Sequence, residues 1–213
     1  VYDGKPLTKN EVKVTDDGFA EGEGASYNVT GTLTNVGEVP NTFTYTLNEG
    51  TKEGNYEITK AEGTLKVTPV TDNVTVTITG NTTTAKYDGT EKTAEGYTVN
   101  IDNKLYTEND FSFNGKANVT RTDADIYEMG LKASDFKNTS DNFTDVTFLV
   151  TDGSLTITKR KVTLTSGSQE KVYDGTALTN SEMTVGEEDG FAAGEGATYN
   201  VTSRIVAMSV CEP

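Results

Sequence analysis

The chain has 213 residues, with 18 Lys and Arg against 33 Asp and Glu for a formal net charge of −15, no His, no Trp and one Cys. An acidic surface without a basic cluster does not suit nucleic acid or insertion into an anionic membrane, both of which need a cationic face or a long apolar run. The lack of His removes the usual general base and the commonest metal ligand, while 21 Gly and 38 Thr point to a packed protein rich in turns and polar β-branched strands.

The chain opens on Val1-Tyr2-Asp3-Gly4, with no initiator Met and no apolar signal core, and reads as an internal piece of a longer protein. The triplet returns as Tyr87-Asp88-Gly89 and Tyr173-Asp174-Gly175, spacings of 85 and 86 residues. Residues 18–30 and 190–202 are identical at eleven of thirteen positions, Gly-Phe-Ala-x-Gly-Glu-Gly-Ala-x-Tyr-Asn-Val-Thr in both. Asn55-Tyr56 followed by Gly63-Thr64-Leu65 is echoed by Asn142-Phe143 followed by Gly153-Ser154-Leu155. A fixed period of this length is the mark of a tandem array. Three modules follow: 1–68, lacking its first strand; 69–159, complete; and 160–213, truncated, with an atypical tail from about 204 that holds Cys211.

Within the modules the apolar residues alternate with Thr. Phe43, Tyr45 and Leu47 do so in the first module, Val74, Val76 and Ile78 in the second, and Val162 and Leu164 in the third. Period-two alternation predicts half-buried strands. Asp-Gly pairs at 3–4, 17–18, 88–89, 152–153, 174–175 and 189–190 punctuate them, as does Asn114-Gly115, because these residues tolerate the positive φ of tight turns. The stretch 123–136 reads as strand plus loop, with Tyr127, Met129 and Leu131 in the place of Phe43, Tyr45 and Leu47. The fold expected is all-β: small immunoglobulin-like β-sandwiches in an extended tandem array, with a β-grasp-like sheet as the rival. Links of 69–73 and 159–161 are short and poor in Gly and Ser, so they are not flexible coils. The middle module is expected to fold alone and the third to be loose. Strand 162–165 of another copy is a conceivable donor for the strand the first module lacks.

Lys171-Val172-Tyr173-Asp174-Gly175-Thr176, Gly54-Asn55-Tyr56 and the closing Gly-x-Leu-x-Ile/Val strand together resemble the YDG/MBG-type repeat modules of bacterial, gut Firmicutes-like surface proteins and adhesins. The resemblance covers nearly the whole chain except its last ten residues. It implies an extracellular, cell-wall-attached location and a structural role between other repeat modules, and it brings no catalytic residue and no agreed ligand.

The candidate sites divide accordingly. Tyr2, Asp3, Gly4, Tyr87, Asp88, Gly89, Tyr173, Asp174 and Gly175 are read as structural turn residues rather than ligands. Tyr27 and Tyr199, beside the Gly-Glu-Gly loops, are the candidates for contacting host glycan or mucin. Those loops are not phosphate loops, since the Glu inside them repels phosphate, no Lys follows and the third Gly is missing. The acidic loops Asp16, Asp17, Glu21, Glu23 and Glu187, Glu188, Asp189, Glu195 are read as a solvated face, with Ca²⁺ as the minor alternative and no other cofactor or metal. A Lys–Asn isopeptide crosslink would need a buried carboxylate beside the pair, and no spacing selects one. Without His there is no hydrolytic triad, and the chain is not expected to be an enzyme.

Overall fold

The computed structural model describes residues 1–186 and 190–200. It is all-β, 38% strand, with no helix of seven residues or more among the described residues. Two compact units emerge. Val1–Ile78, Val99–Gly115 and Lys132–Val150 make the first; Thr79–Thr98, Lys116–Leu131 and the described part of Thr151–Pro213 make the second. Glu187, Glu188, Asp189 and the tail with Cys211 lie outside the described residues.

In the first unit, Ala25–Val29 pairs antiparallel with Phe43–Leu47, setting Tyr27 opposite Tyr45 and Val29 opposite Phe43. Gly37–Asn41 pairs antiparallel with Gly63–Val67, setting Val39 opposite Leu65. The Val74–Gly80 strand follows its alternation strictly: Val74, Val76 and Ile78 are fully buried while Thr77 and Thr79 face out. Burying each of these aliphatic side chains stabilises the fold by about 1.5–3 kcal/mol. Its start is pinned where the Val74 N–H donates to the Asp145 carbonyl at 2.9 Å and Asn73 Nδ2 donates to the Asp145 carboxylate at 2.9 Å. An aromatic cluster fills the same unit. Tyr106 meets Phe143 edge-on at 5.1 Å, and Phe111 lies 5.4 Å from Phe148 and 6.0 Å from Phe136. The Tyr106 hydroxyl lies 3.0 Å from both the Asp110 carbonyl and Asn138 Oδ1, so the one polar atom the ring buries has partners. Burial pushes its pKa up to about 12, with the Asp110 charge adding to the effect.

Residues of the first and second sequence repeats meet inside this unit. Tyr2 packs edge-on against Phe143 at 5.7 Å, and the Val36 N–H donates to Asn142 Oδ1 at 2.8 Å. Val70 and Phe143 form a parallel bridge.

In the second unit, Thr82–Lys86 runs parallel to Ser154–Thr158, with Thr82 opposite Ser154 and Lys86 opposite Thr158. Ile126–Glu128 covers the other edge of Ser154–Thr158, antiparallel. Lys92–Glu95 pairs with Asn118–Arg121, and Leu164–Ser166 with Met183–Val185, both antiparallel. Leu155, Ile157, Ala94, Val119, Met129 and Leu131 form its core. Gly80 and Gly153 cross at van der Waals contact: a Cβ on Gly80 would lie 2.2 Å from the Gly153 nitrogen, and one on Gly153 2.5 Å from the Asn81 carbonyl. The Asp152 carboxylate beside them accepts the N–H groups of Gly130 at 2.8 Å, Leu131 at 2.9 Å and Gly153 at 2.8 Å.

Two expectations change in detail. Within 123–136 only Ile126–Glu128 and Phe136, the first residue of Phe136–Asn138, are strand, and Met129 and Leu131 are buried without belonging to one. Tyr127 stands opposite Leu155 as Val39 stands opposite Leu65, so the counterpart of this stretch is Gly37–Asn41 and not Phe43–Leu47. Alternation has the same period in every strand and does not say which partner a strand takes. Gly4, Gly18, Gly89 and Gly175 adopt positive φ of 75°, 67°, 80° and 79°. Gly115 and Gly153 do not; Gly153 is required by close approach instead, and a Cβ on Gly115 would lie 2.7 Å from the Phe113 ring.

Candidate functional site

All three Tyr-Asp-Gly copies build one turn. The Asp carboxylate accepts the N–H two residues on, from Lys5, Thr90 and Thr176, each at 2.9 Å. This is an Asx turn, and the following glycine takes the left-handed conformation. Lys92 reaches Asp88 at 2.6 Å and Lys171 reaches Asp174 at 2.7 Å. The hydrogen bond from Lys171, joined by those from Thr176, lowers the Asp174 carboxyl to about 2, and the hydrogen bonds from Lys92 and Thr90 hold Asp88 well below the usual carboxylate range. The carboxylates are therefore engaged inside their own turns.

The tyrosine of the motif has a backbone role that its sequence did not reveal. The Tyr2 N–H donates to the Thr68 carbonyl at 2.8 Å, and the Tyr87 N–H to the Thr158 carbonyl at 2.9 Å. In both repeats the motif ties itself to the last residue after the Gly-x-Leu-x-Ile/Val strand. The side chains differ: Tyr2 is half-buried, while Tyr173 is 78% exposed.

The two Gly-Glu-Gly loops also do one thing twice. Glu23 accepts the Tyr56 hydroxyl, whose ring meets Phe19 edge-on at 5.1 Å. Glu195 accepts the Tyr87 hydroxyl, Ala192 is buried, and Arg160 Nε donates to the Gly190 carbonyl. These carboxylate partners raise the pKa of both phenols. Among the described residues no group of three or more Asp, Glu, His or Cys is placed to hold a metal ion. Asn41 is the buried polar residue among them, and no lysine is buried beside it, so the three groups of an isopeptide crosslink are not brought together there.

Tyr27 and Tyr199 are both exposed, at 37% and 36%. Tyr27 lies on the wall of a cavity of about 800 Å³ in the first unit, with Phe43, Tyr45 and Tyr56. The remaining walls include every residue of 11–15 and of 57–61, together with Gly63, Thr64 and Leu65. Asn41 also lines it, and its Oδ1 has no hydrogen-bond partner. A smaller cavity of about 380 Å³ in the second unit surrounds Tyr87, Phe191, Ala192 and Glu195.

Neither a family model, nor a curated protein, nor a solved structure matches the chain.

Proposed function

We propose that the chain is a run of structural stalk or spacer repeats from a secreted, cell-wall-attached bacterial surface protein or adhesin. The observation that carries this is the parallel pairing of Thr82–Lys86 with Ser154–Thr158. Tension along the chain enters the first strand at its N-terminal end and leaves the second at its C-terminal end. In a parallel pair those two pulls slide the strands past each other, so the cross-strand hydrogen bonds bear the load together. An antiparallel hairpin pulled from its open end gives up one bond at a time. The turn that joins Tyr87 to Thr158 adds a further bond at the loaded end.

Contacts across the repeat boundaries fit the same reading. Tyr2–Phe143 and Val36–Asn142 link the first repeat to the second, and Tyr87–Glu195 links the second to the third. A net charge of −15, with acids in excess in every module, keeps neighbouring modules mutually repelling and soluble. The modules are small tandem sandwiches, immunoglobulin-like in layout; the lack of any helix of seven residues or more among the described residues supports this over a β-grasp sheet. The neighbours in the longer chain are further repeats of the same kind, the location is the bacterial cell surface, and the role is not enzymatic.

A second reading, in which each repeat binds host glycan or mucin, draws on the exposure of Tyr27 and Tyr199. Binding of the chain to a glycan and mucin panel, with and without Ca²⁺, separates the two. The stalk reading expects silence from folded protein. Saturable binding lost in Tyr27→Ala or Tyr199→Ala would make the repeats adhesin heads instead.

A further inference from the structure

One dipeptide of the first unit joins a reactive side chain to a free backbone amide. Asn114-Gly115 is the one place in the chain where Gly follows Asn. A backbone nitrogen can attack the side-chain carbonyl of the residue before it only where its own residue leaves room. Glycine, with no Cβ, leaves the most; every other Asn is followed by a residue that carries a side chain. The structure leaves both reacting groups unheld. Among the described residues the Gly115 N–H donates to nothing, and the Asn114 carboxamide makes no hydrogen bond. Both residues are exposed. What is fixed is the Asn114 N–H, which donates to the Asp135 carbonyl at 2.8 Å and leaves the side chain free to turn.

The six Asp-Gly pairs of the chain offer the same backbone but a worse electrophile. An ionised carboxylate repels an incoming nucleophile and has no neutral group to expel, whereas a carboxamide is uncharged and can release ammonia. Four of the six are occupied as well. Asp3, Asp88 and Asp174 accept the N–H two residues on, and Asp152 accepts those of Gly130, Leu131 and Gly153. Asn114 has neither protection.

We propose that Asn114-Gly115 is a site of spontaneous self-modification, where the folded chain converts its own Asn114 amide to a carboxylate through a cyclic imide. The Gly115 nitrogen gives its proton to hydroxide and attacks Asn114 Cγ. The N–Cγ bond forms, the Cγ–Nδ2 bond breaks, and Nδ2 leaves as ammonia after taking a proton from water. Water then opens the imide at either carbonyl. Breaking the N–Cγ bond gives ordinary aspartate; breaking the bond from the nitrogen to the main-chain carbonyl carbon gives isoaspartate, whose chain path is one methylene longer. Both products add one negative charge to the −15 of the chain, on the residue hydrogen-bonded to Asp135. The isoaspartyl product also displaces Gly115, which lies so close to Phe113 that a Cβ there would stand 2.7 Å from the ring. Phe113 stacks on Phe136 at 4.8 Å, and Phe136 is 5% exposed within the aromatic cluster, so the longer chain loosens the edge of that core. The inference concerns the chemistry of one dipeptide and stands apart from the stalk reading.

The test is to hold the folded whole chain at mildly alkaline pH and follow each Asn by peptide mass mapping, beside a synthetic peptide of sequence 111–117. The Asn114 amide is expected to be lost before any other, at a rate within several-fold of the free peptide, because the fold restrains neither reacting group. Two products of equal mass are expected, the aspartyl and the isoaspartyl form. Asn114→Gln, whose longer side chain has to close a larger ring, is expected to keep its amide; the side chain is exposed and unbonded, so the change does not threaten folding. An Asn114 amide that survives in folded protein while the peptide is fully converted overturns the proposal, and so does earlier loss at another Asn. Asn114→Asp carries the new charge without the extra methylene. The purified isoaspartyl form is expected to unfold at a lower temperature than that variant, and equal temperatures would overturn the effect on the core edge.

Discussion

Gly153→Ala is expected to destabilise the second unit by about 3 kcal/mol, the upper end of what overpacking costs. A methyl group there has nowhere to go: it would stand 2.5 Å from the Asn81 carbonyl oxygen, 2.9 Å from the Gly80 carbonyl carbon and 3.0 Å from the Met129 Cε. Two of the three obstacles are backbone, which gives way only if the paired strands separate. A shift of Gly153 in turn carries the adjacent Asp152 carboxylate away from the Gly130 and Leu131 N–H groups it holds at 2.8 and 2.9 Å. Gly80→Ala meets the Gly153 nitrogen at 2.2 Å and is expected to do at least as much damage. Gly196→Ala is the control, since nothing lies within 4 Å of its added methyl; it should change stability by less than about 0.5 kcal/mol, as ordinary surface substitutions do. Urea unfolding of the three variants checks this. Equal midpoints for Gly153→Ala and Gly196→Ala would mean that the crossing of the two glycines is not tight.

The second large effect compares one repeat position in two settings. Ile78→Ala should cost about 2–5 kcal/mol, the range for emptying a buried aliphatic site, because Ile78 is fully buried in the middle of its strand. Leu164→Ala, at the matching position of the third repeat, should cost less than about 0.5 kcal/mol, because Leu164 is 45% exposed. Chemically similar truncations thus differ by several-fold, for a reason that lies in the surrounding strands and not in the side chain. Thermal unfolding of both variants against wild type reads the difference; similar losses in both would show that Leu164 is packed after all.

Much of the fold could be read from alternation alone. Val74, Val76 and Ile78 against Thr75, Thr77 and Thr79 announce a strand with one apolar face, and that strand forms with its apolar face buried. What alternation leaves open is pairing. Tyr127 has the period of a strand, but its place opposite Leu155 depends on contacts 28 residues away in sequence. The Asp-Gly pairs were legible as turns, yet Asp152-Gly153 serves a close crossing, which a positive-φ argument does not anticipate. At the candidate site the three Asp side chains of Tyr-Asp-Gly cap their own turns, which their chemistry suggested. The clip from the motif's tyrosine N–H to Thr68 and Thr158 was not visible, because a backbone hydrogen bond leaves no mark in the choice of side chain. Nor was the pairing of Glu23 with Tyr56 and of Glu195 with Tyr87, two partners drawn from different motifs of the repeat.

The stalk reading stands on how the middle repeat bears load, and single-molecule pulling in two directions tests it most directly. With handles at residues 69 and 159, tension shears Thr82–Lys86 along Ser154–Thr158; with handles at 89 and 159, both pulls act at the same end of the pair and peel it open. Forced rupture is governed by the unfolding barrier along the pulled direction. The account predicts a single rupture in the first geometry at a force several times that of the second. Equally low forces in both directions would contradict it, since the parallel pair would then carry no special load and the repeats would have no mechanical reason to be built this way.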